Sequence, residues 1–252
     1  MLSEHLQSAV RSPSRLHLSL AHSEAEVREA QRLRYKVFVE EMGARPACRE
    51  AGIDSDIYDP YCDHLLVRDN DSNEVIGTYR MLTAARAKEV GGFYSQNEFD
   101  LTRLANLGER TVEIGRSCVH PDYRSGAVIA MLWEGLAQYM QSHRAEYLMG
   151  CASISISDGG HVAASLYHRL KADYMSPIEW RVFPRYALPM ERLDQSLDPS
   201  VPPLIKGYLR AGAYICGDPA WDPDFNTADL LILLPMSKVS PRYARHFIKS
   251  GK

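Results

Sequence analysis

The stretch Val112-Glu113-Ile114-Gly115-Arg116-Ser117-Cys118-Val119-His120-Pro121-Asp122-Tyr123-Arg124-Ser125-Gly126 constrains the fold more than any other part of this chain. It reads as a strand, a turn marked by Pro121, and a glycine-containing loop that opens a long apolar helix. A strand feeding a helix through a short loop is a building unit of layered α/β domains. Glu113 and Arg116 lie inside the strand, where packing alone asks for no charge. Residues three apart on a regular strand face opposite sides of the sheet. Gly115 between them permits a bulge that turns both toward one site.

The rest of the chain fits around this unit. Leu16 to Leu20 alternates as an edge strand does. Ser23-Glu24-Ala25-Glu26 is a capping box, and the helix it starts carries Val27, Ala30, Leu33, Val37 and Phe38 before ending near Gly43. His64 to Arg68 and Val75 to Thr83 read as two strands joined by an Asn70-to-Asn73 turn. Thr111 to Val119 is a third long strand. A helix from about Ala127 to Gln141, a strand from Tyr147 to Ile156 and helical spacing from His161 to Ala172 follow. After about Pro177, prolines cluster. A short helix, Leu204 to Arg210, and a last strand, Leu230 to Leu234, mark an extension packed on the main domain. The expected division is residues 1–14 as a flexible N-terminus, 15–176 as the core and 177–252 as the extension, within one α/β domain.

Composition narrows the function. Hydrophobic residues make up 45% of the 252, enough for a sizeable core, and the net charge of -3 gives no reason to expect nucleic acid. No run approaches 18 apolar residues, and Met1 to Ser14 lacks a signal-peptide core, so a cytoplasmic location is the default expectation. The five cysteines show no metal-ligand spacing, so no metal is expected and buried free thiols are the plain reading.

Several residues carry chemistry. Glu113 reads either as a general base or as an ion-pair partner of Arg116 or Arg80 that shapes a pocket. Asp54, Asp56, Asp59 and Asp63 form a carboxylate block that follows Arg34 and Phe38. For Asp56 and Asp59, a cation-binding site and a solvated acidic loop are both open readings. Cys118 sits in an apolar strand without a paired base, which disfavours a covalent relay.

The strand–turn–loop–helix segment resembles the acyl-donor site of the Gcn5-related N-acyltransferases. That resemblance implies a mixed central sheet flanked by helices, with a strand bulge whose freed N–H faces a thioester carbonyl. Val119, Arg124, Ser125 and Gly126 then fall at the donor. The loop Arg124-Ser125-Gly126-Ala127-Val128-Ile129 departs from the family's phosphate cradle, which favours acyl carrier protein over coenzyme A as donor. Ala163 to Leu170 is similar to the family's Asn-x-x-Ala-x-x-Leu-Tyr helix and makes Tyr167 the candidate that protonates the leaving thiolate, although Gly160 replaces the Asn. A core tyrosine is the other reading. Arg34, Phe38, Asp56, Asp59, Arg80, Glu113 and Arg116 match the conserved spacing of autoinducer synthases.

The whole chain from about 25 to 247 resembles the L-ornithine N-acyltransferases of ornithine lipid synthesis. The most specific part is Pro202-Pro203-Leu204-Ile205-Lys206-Gly207-Tyr208, which autoinducer synthases lack. The resemblance implies transfer of a 3-hydroxyacyl group from acyl carrier protein to the α-amine of ornithine by direct attack, with no other cofactor. Arg34, Phe38, Asp56, Asp59, Arg80 and Lys206 then form the acceptor side. Lys206 would hold a carboxylate, while an aspartate, with Asp218, Asp222 and Asp229 as reserves, holds an ammonium. Rival readings are the same chemistry on another amine, such as glycine, and a non-catalytic acyl-carrier or membrane-binding module. The basic segment Lys238 to Lys252 suits either an anionic membrane face or an acidic carrier protein.

Overall fold

The computed structural model describes residues 15–46 and 50–239. The expected flexible N-terminus, Cys48 and nearly all of the basic C-terminal segment lie outside these residues. Ten strands and five α-helices alternate along the chain: β1 (Leu16–Leu20), α1 (Glu24–Arg34), β2 (Asp63–Asp69), β3 (Glu74–Thr83), α2 (Ala84–Val90), β4 (Phe99–Asp100), β5 (Thr111–Val119), α3 (Ala127–Ser142), β6 (Tyr147–Ser155), α4 (His161–Tyr174), β7 (Phe183–Pro184), α5 (Pro203–Ala211), β8 (Tyr214–Ile215), β9 (Ala220–Asp222) and β10 (Thr227–Pro235).

The main sheet runs β1-β2-β3-β5-β6-β10-β8, with β9 also paired to β10. All its pairings are antiparallel except β5–β6. A parallel pair cannot be closed by a tight turn, and α3 makes the required crossover. Strand alternation sorts the core. Leu65 and Val67 of β2 pack toward α3, while Leu66 packs with Ala30 and Leu33 of α1 on the other face. The stretch expected as an extension packed on the core supplies β10 as an interior strand, paired with β6 from Thr227↔Ser155 to Pro235↔Tyr147. All nine β10 residues are buried, as a strand covered on both faces requires.

Local signals acted with small changes. Ser23 Oγ accepts from the Glu26 N–H, but Glu26 reaches the His22 N–H at 2.6 Å rather than that of Ser23. The first helix continues past Arg34 as a π-helix over Tyr35–Glu41 before Gly43 takes a φ of 75°. Such a widened turn is common at functional sites. Here it places Val37 and Phe38 against the cavity described next.

Candidate active site

β5 and β6 pair only at Thr111↔Tyr147, Val112↔Leu148 and Glu113↔Met149, and then part. Gly150 stands where they separate. A Cβ there would meet the Ile114 carbonyl oxygen at 2.2 Å, so only glycine lets the backbones approach before diverging. The gap opens into a cavity of about 320 Å³ lined by Ile114 to Val119 of β5 and by Gly150 to Ser153 of β6. The π-helix, Arg80 of β3, Tyr208 of α5 and Asp229 of β10 close its sides.

The expected bulge is present, and its special residue is Arg116. Arg80 pairs with Gly115 and Thr78 with Cys118, so Arg116 and Ser117 together face Tyr79. Arg116 takes a φ of 50°, a left-handed conformation that costs a non-glycine residue roughly 1–2 kcal/mol. Nothing would lie within 4 Å of a Cβ on Gly115, so that residue leaves its backbone open to the cavity. The bulge brings Glu113 and Arg116 to the same cavity.

Glu113 forms neither of the ion pairs that the sequence suggests. Its Oε2 accepts from Tyr94 N–H at 2.6 Å, and its Oε1 accepts from Ser95 N–H at 2.7 Å and Ser95 Oγ at 2.5 Å. A carboxylate offers about four acceptor sites, so one on Oε2 is left for a ligand. Burial raises the Glu113 pKa against the effect of these three donors. A buried carboxylate of raised pKa is a stronger base than an exposed one.

The acidic block is committed to arginines. Arg34, with 0% exposure, donates through Nε to Asp54 at 2.7 Å and through Nη1 and Nη2 to Asp59 at 2.8 and 3.0 Å. Arg80 Nη1 donates to Asp56 at 2.7 Å and Asp59 at 3.0 Å. Arg116 Nη2 donates to Asp56 at 3.3 Å, and its guanidinium lies over the Tyr94 and Phe225 rings at 4.9 and 4.4 Å. Against burial, Arg34 and Arg80 hold the Asp59 carboxyl far below its usual range, and Arg80 and Arg116 lower that of Asp56. Arg34, Asp56 and Asp59 therefore stand behind the cavity wall rather than in it. With their charges matched, the two aspartates have none to spare for an ammonium. Arg80 and Arg116 reach the cavity itself.

The other expected residues divide. Phe38 lines the cavity, packed edge-on against Phe225 with ring centroids 5.9 Å apart. Val119 and Arg124 line it as well. Ser125 and Gly126 are exposed beside Arg124, and Gly126 takes a φ of 98° to begin α3. Arg124 spends its guanidinium on both oxygens of Glu41, at 2.6 and 2.7 Å. Tyr167 is not at the cavity. It is buried on α4, and its hydroxyl donates to Asp218 at 2.5 Å. Lys206 is exposed, because Leu204 and Tyr208, two positions to either side, are the α5 residues that face the cavity. Cys118 lines the cavity, but burial pushes its thiol up to about 12, which removes the thiolate a relay needs.

Three groups were not legible in the sequence as groups, although Asp229 stood among the reserve carboxylates. Tyr94 and Ser95 come from a 3₁₀ turn at Tyr94–Asn97 and hold Glu113. Tyr79 and Tyr208 bring their hydroxyls together in the cavity, where burial raises the pKa of both. Glu98, Cys151 and Asp229 place one donor atom each within 4.8 Å of one another. A proton source of the kind sought at Tyr167 thus reaches the cavity from Tyr208, inside the distinctive Pro-Pro-Leu-Ile-Lys-Gly-Tyr stretch.

A mixed sheet parted between two parallel strands, with a bulged and charged strand along the gap, defines an N-acyltransferase of the GNAT class. Residues 33–134 match the family model described as an acetyltransferase (GNAT) domain. The chain is 37% identical over 254 residues to the L-ornithine N(alpha)-acyltransferase of Brucella abortus, a match spanning 92% of this chain and 88% of that protein. To the enzyme of the same name from Rhodobacter capsulatus it is 38% identical, over 94% of this chain and 96% of that one. The chain belongs to the L-ornithine N(alpha)-acyltransferase family. Among solved structures it resembles the CoA-dependent acyl-homoserine lactone synthase BjaI, with a TM-score of 0.56 and 14% identity over 92% of this chain and 87% of that one. It also resembles the AHL synthase LasI, with a TM-score of 0.54 and 11% identity over 92% and 94%. At these identities the likeness shows the shared fold.

Proposed function

We propose that this acyltransferase moves a 3-hydroxyacyl group from acyl carrier protein to the α-amine of L-ornithine, giving a lyso-ornithine lipid. The observation that carries the acceptor is the near full-length similarity to enzymes named for that reaction. In this reading the thioester arm enters between β5 and β6, where backbone is open at Gly115. The amine loses its proton to the free site on Glu113 Oε2 and attacks the carbonyl. Arg116 and the bulge offer donors to the oxyanion. The Tyr79–Tyr208 hydroxyl pair passes to the departing thiolate the proton that the attacking nitrogen gives up on forming the amide, so both hydroxyls end protonated as they began.

The donor preference rests on the loop before α3. Coenzyme A brings several phosphate charges, whereas the pantetheine of a carrier protein brings one phosphodiester. Arg124 is the guanidinium at this end of the cavity, and Glu41 already neutralises it. The test is to incubate the pure protein with matched 3-hydroxyacyl donors on carrier protein and on coenzyme A. Each donor is offered ornithine, lysine, glycine or norvaline, and products are read by mass. Acyl-ornithine formed mainly from carrier protein is expected. No acyl-ornithine from either donor overturns the acceptor, and equal use of coenzyme A overturns the donor.

A further inference from the structure

Glu98 is 9% exposed, and both of its carboxylate oxygens are buried with no partner beyond the neighbouring Asp229 carboxyl and Cys151 thiol among the described residues. One of them lies within 4.8 Å of a carboxylate oxygen of Asp229 and of Cys151 Sγ. Asp229 is 3% exposed; it accepts from Thr227 Oγ1 at 2.9 Å, and Ser153 is also hydrogen-bonded to it. Asp229, Cys151 and nearby Asp222 all line the cavity, so the carboxylate group opens onto the same space as Glu113. Two buried carboxyl groups side by side repel each other once both ionise and lack water, so without a cation the pair must keep a proton between them. Burial raises the pKa of Glu98 and of Asp229; Asp229 and Asp222 push Glu98 up further and Asp222 pushes Asp229 up, while hydrogen bonds to Asp229, that of Glu98 included, work the other way.

We infer that Glu98 and Asp229, with Asp222 on the cavity wall, form the pocket that holds the side-chain ammonium of the amino-acid acceptor. The inference rests on the acceptor reading above. An alkylammonium brings three N–H donors, and it would replace the proton between Glu98 and Asp229 while meeting oxygens of both. Burial and the two carboxyl groups push the Cys151 thiol well above its usual range, so it stays protonated and donates to Ser95 Oγ at 3.4 Å. That leaves carboxylates alone, which suit an ammonium better than the thiolate-containing set a soft metal prefers. The chain Glu113–Ser95–Cys151 leads from the base to this pocket. An acceptor lying along it presents its α-amine to Glu113 and its side-chain cation to Glu98 and Asp229. The cation is thereby kept away from the thioester, which directs acylation to the α-position.

The experiment compares ornithine with norvaline, which has the same chain without the side-chain ammonium, in the wild type, Glu98→Gln and Asp229→Asn. Melting temperature reports binding without turnover. Ornithine is expected to raise it above the value in norvaline for the wild type, and this difference should vanish in both variants. In turnover, the ornithine-to-norvaline ratio of kcat/KM should fall at least tenfold, with the loss in ornithine KM and the donor KM unmoved. An unchanged ratio and an unchanged melting difference in both variants overturn the pocket. So does stabilisation by Zn²⁺ or Mg²⁺ without stabilisation by ornithine. A wild type that binds ornithine through these residues but never acylates it refutes the acceptor reading and leaves the pocket standing.

Discussion

Two buried charge clusters reach the cavity, one through Arg80 and Arg116 and the other through Asp222 and Asp229, and they are built in opposite ways. On one side, Arg34, Arg80 and Arg116 meet Asp54, Asp56 and Asp59, and nearly every oxygen has a donor. On the other side, Glu98 and Asp229 form no ion pair among the described residues, and of cations Asp222 feels only the field of Arg116. A matched network is what a fold needs to bury charge at all. An unmatched one weakens the folded chain, so its presence beside a cavity marks a place where a ligand supplies the missing charge. Glu113 lies between the two extremes, with three donors and one vacant site.

The most damaging way to break this comparison is at Glu113. Glu113→Gln should lower turnover by roughly 10²–10⁴-fold, the range for losing a general base. The amide also sets an N–H against either the Tyr94 or the Ser95 donor, so the 3₁₀ turn should loosen. Measuring kcat beside thermal unfolding separates the two roles. A near-normal kcat with a lowered melting temperature would reduce Glu113 to an anchor for that turn.

The matched cluster is tested by Arg34→Met. It strands Asp54 and Asp59 with one buried cation removed, and breaking such a pair costs roughly 3–5 kcal/mol. Urea unfolding gives the number. A loss below about 1 kcal/mol would mean that the network is not what holds β2, β3 and α1 together. The same cluster sets the acid limit. The folded-state pKa values of Asp59 and Asp56 are depressed, so their stabilisation is present above the unfolded carboxylate range near 4 and is lost as pH falls through the folded values.

How much of this was readable in the sequence depended on range. β1 and β5 are fixed by local alternation and flanking turns, and their ends fall where the pattern places them. The bulge was foreseeable from Gly115 between two charges, although the strained residue proved to be Arg116. Arg34, Asp56, Asp59 and Arg80 were recognisable as a set, but not as partners. Their spacing says that they matter, and only the fold shows that they neutralise one another. Tyr167 and Lys206 failed for a simpler reason. A helix residue matching a motif says nothing about which way its face is turned, and α4 turns Tyr167 to Asp218. Glu98 had no signal at all. It sits in an irregular stretch, and its meaning comes from Asp229, a residue 131 positions away brought close by β10 pairing with β6.

The unmatched cluster predicts a gain. Glu98→Gln should raise stability by roughly 1–3 kcal/mol, the cost of a buried polar group left unsatisfied. The sign with pH is opposite to that of the aspartate network. Because the folded pKa values of Glu98 and Asp229 are raised, the wild type is penalised only as pH rises above the unfolded range, where the pair must hold protons or ionise. The advantage of Glu98→Gln should therefore be larger at pH 8 than at pH 5. A variant that is less stable than wild type at pH 8 would show that Glu98 has a partner of opposite charge and that the two clusters are alike.

The smallest effect is expected at Arg124, whose pair with Glu41 is about two-fifths exposed on each side, at 44% and 37%. Exposed pairs contribute about 1 kcal/mol or less, so Arg124→Ala should leave unfolding almost unchanged. Its effect on the donor separates two accounts of the loop. If Arg124 grips phosphate, its loss should raise the coenzyme A donor KM well beyond that of carrier protein. If Glu41 already neutralises it, both donor KM values should move by about fivefold at most, the equivalent of about 1 kcal/mol. Glu41→Gln runs the comparison in reverse, because it frees the guanidinium without removing it. Coenzyme A should then be used better than by the wild type, while carrier protein, with one phosphodiester to satisfy, gains less. A fall in coenzyme A use on freeing Arg124 would mean that the Glu41 pair positions the loop for the donor rather than blanking its charge.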